Sequence, residues 1–261
     1  MLLTTRTSLS ALCLILISGC ATLPPGKRDA RDPWERMNRA TYRFNDALDK
    51  GIVRPVARGY QKVTPHFVQS GIRNFFDNID TPIVMLNDLL QGQFRPFLND
   101  TGRLLLNSTV GIGGLFDPAT AAGLDKNDRD FGQTLGKWGI GSGPYLVIPF
   151  LGPGDVRDTF GRVVDTYSTP RTYIHNVYWR YGMWLTDKVD ERARLLGTDK
   201  LLDSAYDPYK FLRNAYLQHR DYKVHGGESP SEEQQEQKLL EEAGEESPAD
   251  AAPPPKPPQP H

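Results

Sequence analysis

Between residues 32 and 225 apolar positions recur at helical spacing, and prolines and glycines divide them into segments. Trp34, Met37, Thr41, Phe44 and Leu48 share one face of a helix that should run to about Lys50. The preceding Asp32-Pro33-Trp34-Glu35 has the form of a capping box with proline in the first turn. A stripe of this kind normally buries against a neighbouring helix, so Trp34, Met37 and Phe44 are expected in the core. Arg54-Pro55 opens a second helix that Pro65 stops, and Phe67, Val68, Ile72, Phe75, Phe76 and Ile79 mark a third. Thr81-Pro82 predicts the cap of a fourth, in which Met85, Leu86, Leu89 and Leu90 precede Gly92. Further helices are predicted over about 94–108, 158–167, 173–196 and 200–220, and only Tyr145 to Phe150 reads as a strand. The predicted fold class is all-α, with no internal repeat.

The middle of the chain differs in texture. Eleven glycines fall between Asn107 and Gly154, mixed with Leu, Ile, Val, Phe, Trp and Tyr. A flexible linker would be polar, whereas small residues among apolar ones let a backbone come close to a neighbour or to a lipid chain. A tightly packed, turn-rich core segment is the plainer reading of the same residues.

Both ends stand apart from this body. A single arginine, Arg6, precedes the apolar run from Leu9 to Ile17, which is too short to span a bilayer and has the shape of a secretory signal. Ile17-Ser18-Gly19-Cys20 resembles the lipobox of bacterial lipoproteins, which implies that Cys20 is acylated and becomes the first residue of the mature chain. Ala21 after it implies sorting to the outer membrane. Cys13 would leave with the signal, so the mature chain would form no intrachain disulfide and its stability must come from packing. Pro24, Pro25 and Gly26 suit a tether, while Gly226 to His261 is rich in proline and carries nine acidic residues against two lysines, a composition expected to remain disordered. The expected domains are thus a signal peptide (1–19), a lipidated tether (20–31), a helical body (32–225) and a disordered acidic tail (226–261).

Net charge is -1 overall, but residues 20–225 hold 28 Lys and Arg against 23 Asp and Glu. That mild, dispersed excess suits an anionic membrane surface better than nucleic acid, which calls for a clustered basic face. Enzymatic signatures are missing. The histidines (His66, His175, His219, His225, His261) lack metal-ligand spacing, and Gly139-Ile140-Gly141-Ser142-Gly143 lacks the glycine that a nucleophile elbow needs two residues before its serine. Gly111-Ile112-Gly113-Gly114 has no following lysine to make it a phosphate loop, and Asp128-Arg129-Asp130 reads as a solvated loop. Neither enzymatic turnover nor a cofactor is expected.

One set of motifs, taken together, resembles a known family. Asp32-Pro33 with Glu35, Asn38 and Arg39 comes first, followed by Phe44-Asn45, Arg54-Pro55-Val56-Ala57, Asn87-Asp88 and Leu90-Gln91-Gly92. Asn107-Ser108-Thr109, Gly113-Gly114, Asp130-Phe131-Gly132-Gln133-Thr134-Leu135-Gly136, Gly143-Pro144-Tyr145, Pro149-Phe150, Asp207-Pro208-Tyr209 and Ala215-Tyr216 complete it. In this order, over roughly Cys20 to His225, they resemble the MlaA (VacJ) family of outer-membrane lipoproteins. The acidic tail is not explained by the resemblance.

The resemblance implies a ring-shaped helical body in the periplasmic leaflet of the outer membrane, enclosing an amphipathic channel. Phospholipid mislocalised to the outer leaflet would pass through it to a soluble periplasmic carrier, and the protein would associate with a trimeric porin. The helices carrying both aromatic and basic residues make Arg103, Arg180 and Lys188 candidates to face headgroups, and Gly111, Gly113, Gly114, Leu115 and Phe116 are candidates for the channel wall. Solvated surface charge and ordinary packing are the plainer readings of these residues. Two other functions stay open: an envelope scaffold or porin-binding adaptor, and a lipid hydrolase built on Ser108 or Ser142.

Overall fold

A computed structural model describes residues 29–225. Cys20, the signal peptide, most of the tether and the acidic tail lie outside the described residues.

Helix α1 (Glu35–Leu48) continues through a π-helical turn, Asp49–Val53, into α2 (Arg54–Val63), and the extended Thr64 before Pro65 ends the run. The extra residue in that turn lets Asp49 receive Arg54 at 3.2 Å and Arg192 at 2.7 Å, which ties α2 to the later helix α8. Asp32 does not cap α1. Trp34 stands at the N-cap with no side-chain hydrogen bond, while the buried Asp32 carboxylate accepts from Asn38 (2.8 Å), Tyr209 (2.5 Å) and Arg213 (3.2 Å). The local sequence has the letters of a capping box, but a buried carboxylate is held better by a tyrosine and an arginine from the far end of the chain.

Helix α3 (His66–Leu90) is a single helix of 25 residues, not the two predicted. Pro82 lies inside it and removes the bond to the carbonyl of Asn78, and the Thr81 hydroxyl turns back to the carbonyl of Asp77 at 2.9 Å. Packing of α3 along α4 (Phe94–Thr109) and against α8 outweighs the proline. Short elements follow: α5 (Pro118–Ala121), capped by Asp117, and α6 (Phe131–Lys137), capped by Asp130. Tyr145–Ile148 (β1) pairs antiparallel with Gly152–Asp155 (β2), a partner strand that no alternation in the sequence announces. Asp155 then caps α7 (Val156–Ser168), and a 3-10 turn over Pro170–Tyr173 leads to α8 (Val177–Arg194). The helix predicted over 200–220 is divided into α9 (Asp199–Asp203) and α10 (Pro208–Val224), because Asp207 and Pro208 start a new helix with a cap and a proline at its first position.

Two side chains of α1 extend the hairpin. Asn38 donates to the carbonyl of Tyr145 (3.0 Å) and accepts from the amide of Val147 (2.9 Å), and two turns further on Asn45 treats Ile148 and Phe150 the same way. Each amide mimics a strand residue, so the free edge of β1 is satisfied by a helix. Around this contact lies the apolar core of Tyr145, Val147, Tyr209 and Leu217.

Elsewhere the usual sorting of residues is reversed. Among the described residues ten hydrophobic side chains are buried against twenty polar or charged ones, while thirty-six large hydrophobic side chains are exposed. Trp34, Met37 and Phe44, expected in the core, are 41%, 50% and 49% exposed, and α1 turns Asn38, Tyr42 and Asn45 inward instead. No helix among the described residues is long and apolar enough to cross a membrane.

Candidate functional site

A cavity of about 810 Å³ opens among α3, α4, the 126–130 loop, the end of α7 with its 3-10 turn, and α8. Long helices supply its sides, and the loop enters because Asn127 bridges two buried carboxylates, donating to Asp88 of α3 (3.0 Å) and Asp100 of α4 (2.9 Å). Arg129 donates to the same Asp88 at 2.5 Å. On the other side of the loop Asp130 caps α6 and binds Arg220 of α10 at 2.6 Å. Asp128-Arg129-Asp130 is therefore not the solvated loop that its composition suggests, since its arginine and second aspartate are held by partners from α3 and α10.

Most charges lining the cavity are already neutralised within the protein. Lys126 meets Asp77 at 2.5 Å, and Arg171 divides itself between Asp80 (2.5 Å) and Asp187 (2.9 Å). Arg103, only 7% exposed, binds Asp117 (2.8 Å), Thr120 (3.0 Å) and the carbonyl of Leu124. Lys188 pairs with Glu191 one turn away at 2.6 Å. Among the described residues, Arg180 is the lining cation with no carboxylate within ion-pair reach, and its guanidinium lies 5.5 Å from the ring centre of Tyr181.

Among the described residues two lining carboxyls have no cationic partner, Asp100 and Asp165. Burial, then the adjoining Asp88, pushes Asp100 up to about 6. A proton held there gives the buried Asp88 Oδ2, which has no other hydrogen-bond partner, a donor. Burial also pushes Asp165 up to about 6, with Asp130 adding to it, against the hydrogen bonds it accepts from the amide of Phe131 (3.0 Å) and from Asn87 (3.3 Å). Aromatic faces of Tyr181 and Trp184 complete the α8 side. This arrangement can hold a molecule with a charged end against aromatic faces. Ser108 Oγ is bound by the amide of Asn78 (3.0 Å), which cannot act as a base. Among the described residues no group of three His, Cys, Asp or Glu could hold a metal ion.

Of the residues singled out in the sequence, Arg103, Arg180 and Lys188 line the cavity, and Gly111, Gly113, Gly114, Leu115 and Phe116 lie outside its lining. They form the turn after α4. Gly113 and Gly114 take positive φ (+67° and +89°), and a Cβ on Gly114 would stand 2.5 Å from the Asn78 Cβ, so the turn packs glycine against α3 just behind the cavity wall. Ile112 holds φ +54°, a strained backbone for a β-branched residue, and it is exposed together with Val110, Leu115 and Phe116. Sequence reasoning missed Asp100, Asn127 and Asp165. Asp100 and Asp165 are polar residues on amphipathic helices, whereas Asn127 lies in a charged loop that gives no signal of its own.

Comparison with known proteins agrees with this architecture. The MlaA lipoprotein family model matches residues 30–223. The intermembrane phospholipid transport system lipoprotein MlaA of Escherichia coli (strain K12) is 37% identical over 229 residues, covering 85% of this chain and 90% of that protein. Its counterpart in Haemophilus influenzae is 33% identical over 86% of this chain and 92% of its own length. An uncharacterized protein of Rickettsia felis is 35% identical over 76% of this chain and 80% of its own. A structure solved in work on the structural basis for maintenance of bacterial outer membrane lipid asymmetry superposes with a TM-score of 0.67 at 36% identity, covering 76% of this chain and all of that one. With its helical frame, its polar cavity and nearly the whole of the described body matched, this chain belongs to the MlaA lipoprotein family.

Proposed function

We propose that this protein is a lipid-anchored component of intermembrane phospholipid transport that lets mislocalised phospholipid leave the outer leaflet of the outer membrane. Lipid enters the cavity, crosses the helical frame and leaves to a soluble periplasmic carrier, with no bond broken in the lipid. The observation that carries this reading is the reversed sorting of side chains: twenty polar or charged groups buried and thirty-six large hydrophobics exposed among the described residues. In water such a surface would associate with itself, whereas within one leaflet the apolar side chains meet acyl chains. The polar interior then becomes the one route on which a headgroup need not enter hydrocarbon. With no helix among the described residues able to span a membrane, Cys20 acylation and contact with a porin trimer would hold the body in place. Relatives named for phospholipid transport support the same reading.

The test measures phospholipid in the outer leaflet of cells lacking the protein, with a label that acylates only that leaflet. A rise that is reversed by a version ending at His225 is expected and assigns the activity to the body. No rise would leave an envelope scaffold as the function. Phospholipid incubated with the pure protein should remain unhydrolysed.

A further inference from the structure

Subtracting the ion pairs that the cavity makes with itself leaves a short residue of free charge. Lys126, Arg103, Arg129, Arg171 and Lys188 each have a carboxylate partner. Asp128 and Asp130 are taken by Lys223 and Arg220, both from α10. What remains among the described residues is one guanidinium, Arg180 in the first turn of α8, and two carboxyls, Asp165 in the last turn of α7 and Asp100. Asp100 is 2% exposed and is occupied with Asp88 and Asn127, whereas Asp165, which accepts from the amide of Phe131 and from Asn87, is only half-buried at the wall and has neutral partners alone. The free charges that a visiting headgroup meets are therefore one cation and one anion.

A zwitterionic headgroup carries a group of opposite charge for each. Its phosphate takes the Arg180 fork, for which an unpaired guanidinium over an aromatic ring is well suited, and its ammonium takes the Asp165 carboxylate. An anionic headgroup of the phosphoglycerol type offers the same phosphate to Arg180 but only neutral hydroxyls to Asp165, so it leaves that carboxylate without a cation. Resting on the reading that lipid passes through this cavity, we infer that the site discriminates among phospholipids and favours those whose headgroup carries an ammonium, with Asp165 as the specificity-determining residue and Arg180 as the common phosphate contact.

The probes are dihexanoyl phosphatidylethanolamine, its N-acetylated form and dihexanoyl phosphatidylglycerol, all below their micelle concentrations, titrated into the full mature chain at pH 8. The ethanolamine lipid should bind about fivefold tighter than the glycerol lipid, the scale of a partly exposed ion pair. N-acetylation, which deletes the ammonium and leaves the protein untouched, should bring the ethanolamine lipid down to the glycerol lipid. Asp165→Asn should erase the preference with the glycerol lipid bound at least as well as before, and Arg180→Gln should weaken all three. Equal binding of the two native lipids, or a preference that survives N-acetylation, overturns the inference while leaving lipid passage intact. If none of the three binds at millimolar concentration, the cavity is no lipid route and the reading beneath the inference falls as well.

Discussion

Two regions of the molecule solve the problem of folding in opposite ways. Around the hairpin, where α1, α6, α7 and α10 meet, Tyr145, Val147, Tyr209 and Leu217 form an ordinary apolar core, and the buried polar groups around it are mostly paired, with Tyr145 Oη and Asp155 Oδ2 left without a hydrogen bond among the described residues. In the cavity frame of α3, α4 and α8 the interior is polar and the exterior carries Phe67, Phe94, Leu98, Leu105, Trp179 and Leu185. The hub is stabilised by water outside it. The frame is stabilised by ion pairs across an open cavity and by whatever covers its outer face. The hub should therefore dominate stability and the frame should dominate ligand selection.

The sharpest way to break this division is to unpair the hub. Arg220 of α10 is 9% exposed and serves Asp158 (2.5 Å) and Asp130 (2.6 Å), while Asp158 is also held by Arg157 (2.9 Å) and Tyr216 (2.8 Å). Against the upward push of burial, Arg220 and Arg157 hold Asp158 at about 2. Arg220→Ala removes the ion pair of the partly exposed Asp130 and leaves the buried Asp158 to Arg157 and Tyr216, at a cost toward the lower end of about 3–5 kcal/mol. Chemical denaturation should show that loss, together with release of α6 from α10. A loss below about 1 kcal/mol would mean that the network is incidental to the hub.

A second test uses the proton-sharing pairs, one in each region. Burial pushes Asp155 in the hub up to about 7, beside Asp158, as Asp100 in the frame is pushed up to about 6 beside Asp88. Both carboxyls bind their proton more tightly in the folded chain than in the unfolded one. Their contribution to stability is therefore greatest on the acid side and falls as pH rises through 6 to 7. Asp117 and Asp158, both held at about 2, work in the other direction, and their contribution is lost as pH falls below about 4. The thermal midpoint should thus be higher at pH 5.5 than at pH 8. Asp155→Asn and Asp100→Asn should each flatten that slope, the hub variant at a higher pH than the frame variant. A midpoint that climbs steadily to pH 8 in the wild type would refute the assignment.

How far the sequence revealed these regions depended on which force formed each element. Helices α2, α4 and α7 were legible because proline, glycine and an amphipathic stripe act locally, and their observed limits fall within two residues of the expected ones. The misplaced break at Thr81-Pro82 and the unforeseen strand β2 depend on tertiary context, on packing against α4 and α8 in one case and on pairing with β1 in the other. The stripe on α1 was seen correctly as a stripe and assigned to the wrong side. Periodicity reports that Trp34, Met37 and Phe44 share a face, but whether that face turns toward the core depends on the solvent around the protein. At the site, a cation on an aromatic helix could be recognised in Arg180. That Arg103 and Lys188 spend their charge on Asp117 and Glu191 could not, because pairing is decided by the fold.

The smallest expected effect separates Lys188 from Arg180. Both are cations of α8 that line the cavity, yet Lys188 is paired with Glu191 at 2.6 Å, with both side chains nearly half exposed. An exposed pair one turn apart contributes about 0.3–0.5 kcal/mol at most, and salt screens it further. Lys188→Ala should leave the thermal midpoint within about 2 °C, the most that a loss of that size shifts a body this large. It should also leave the binding of dihexanoyl phosphatidylethanolamine unchanged, whereas Arg180→Gln weakens it. If Lys188→Ala weakened binding as much as Arg180→Gln does, the Glu191 pair would have to open for the lipid. Charge at the cavity would then be set by exchange of partners during passage, and the line between free and occupied charges drawn from the resting structure would not predict selection.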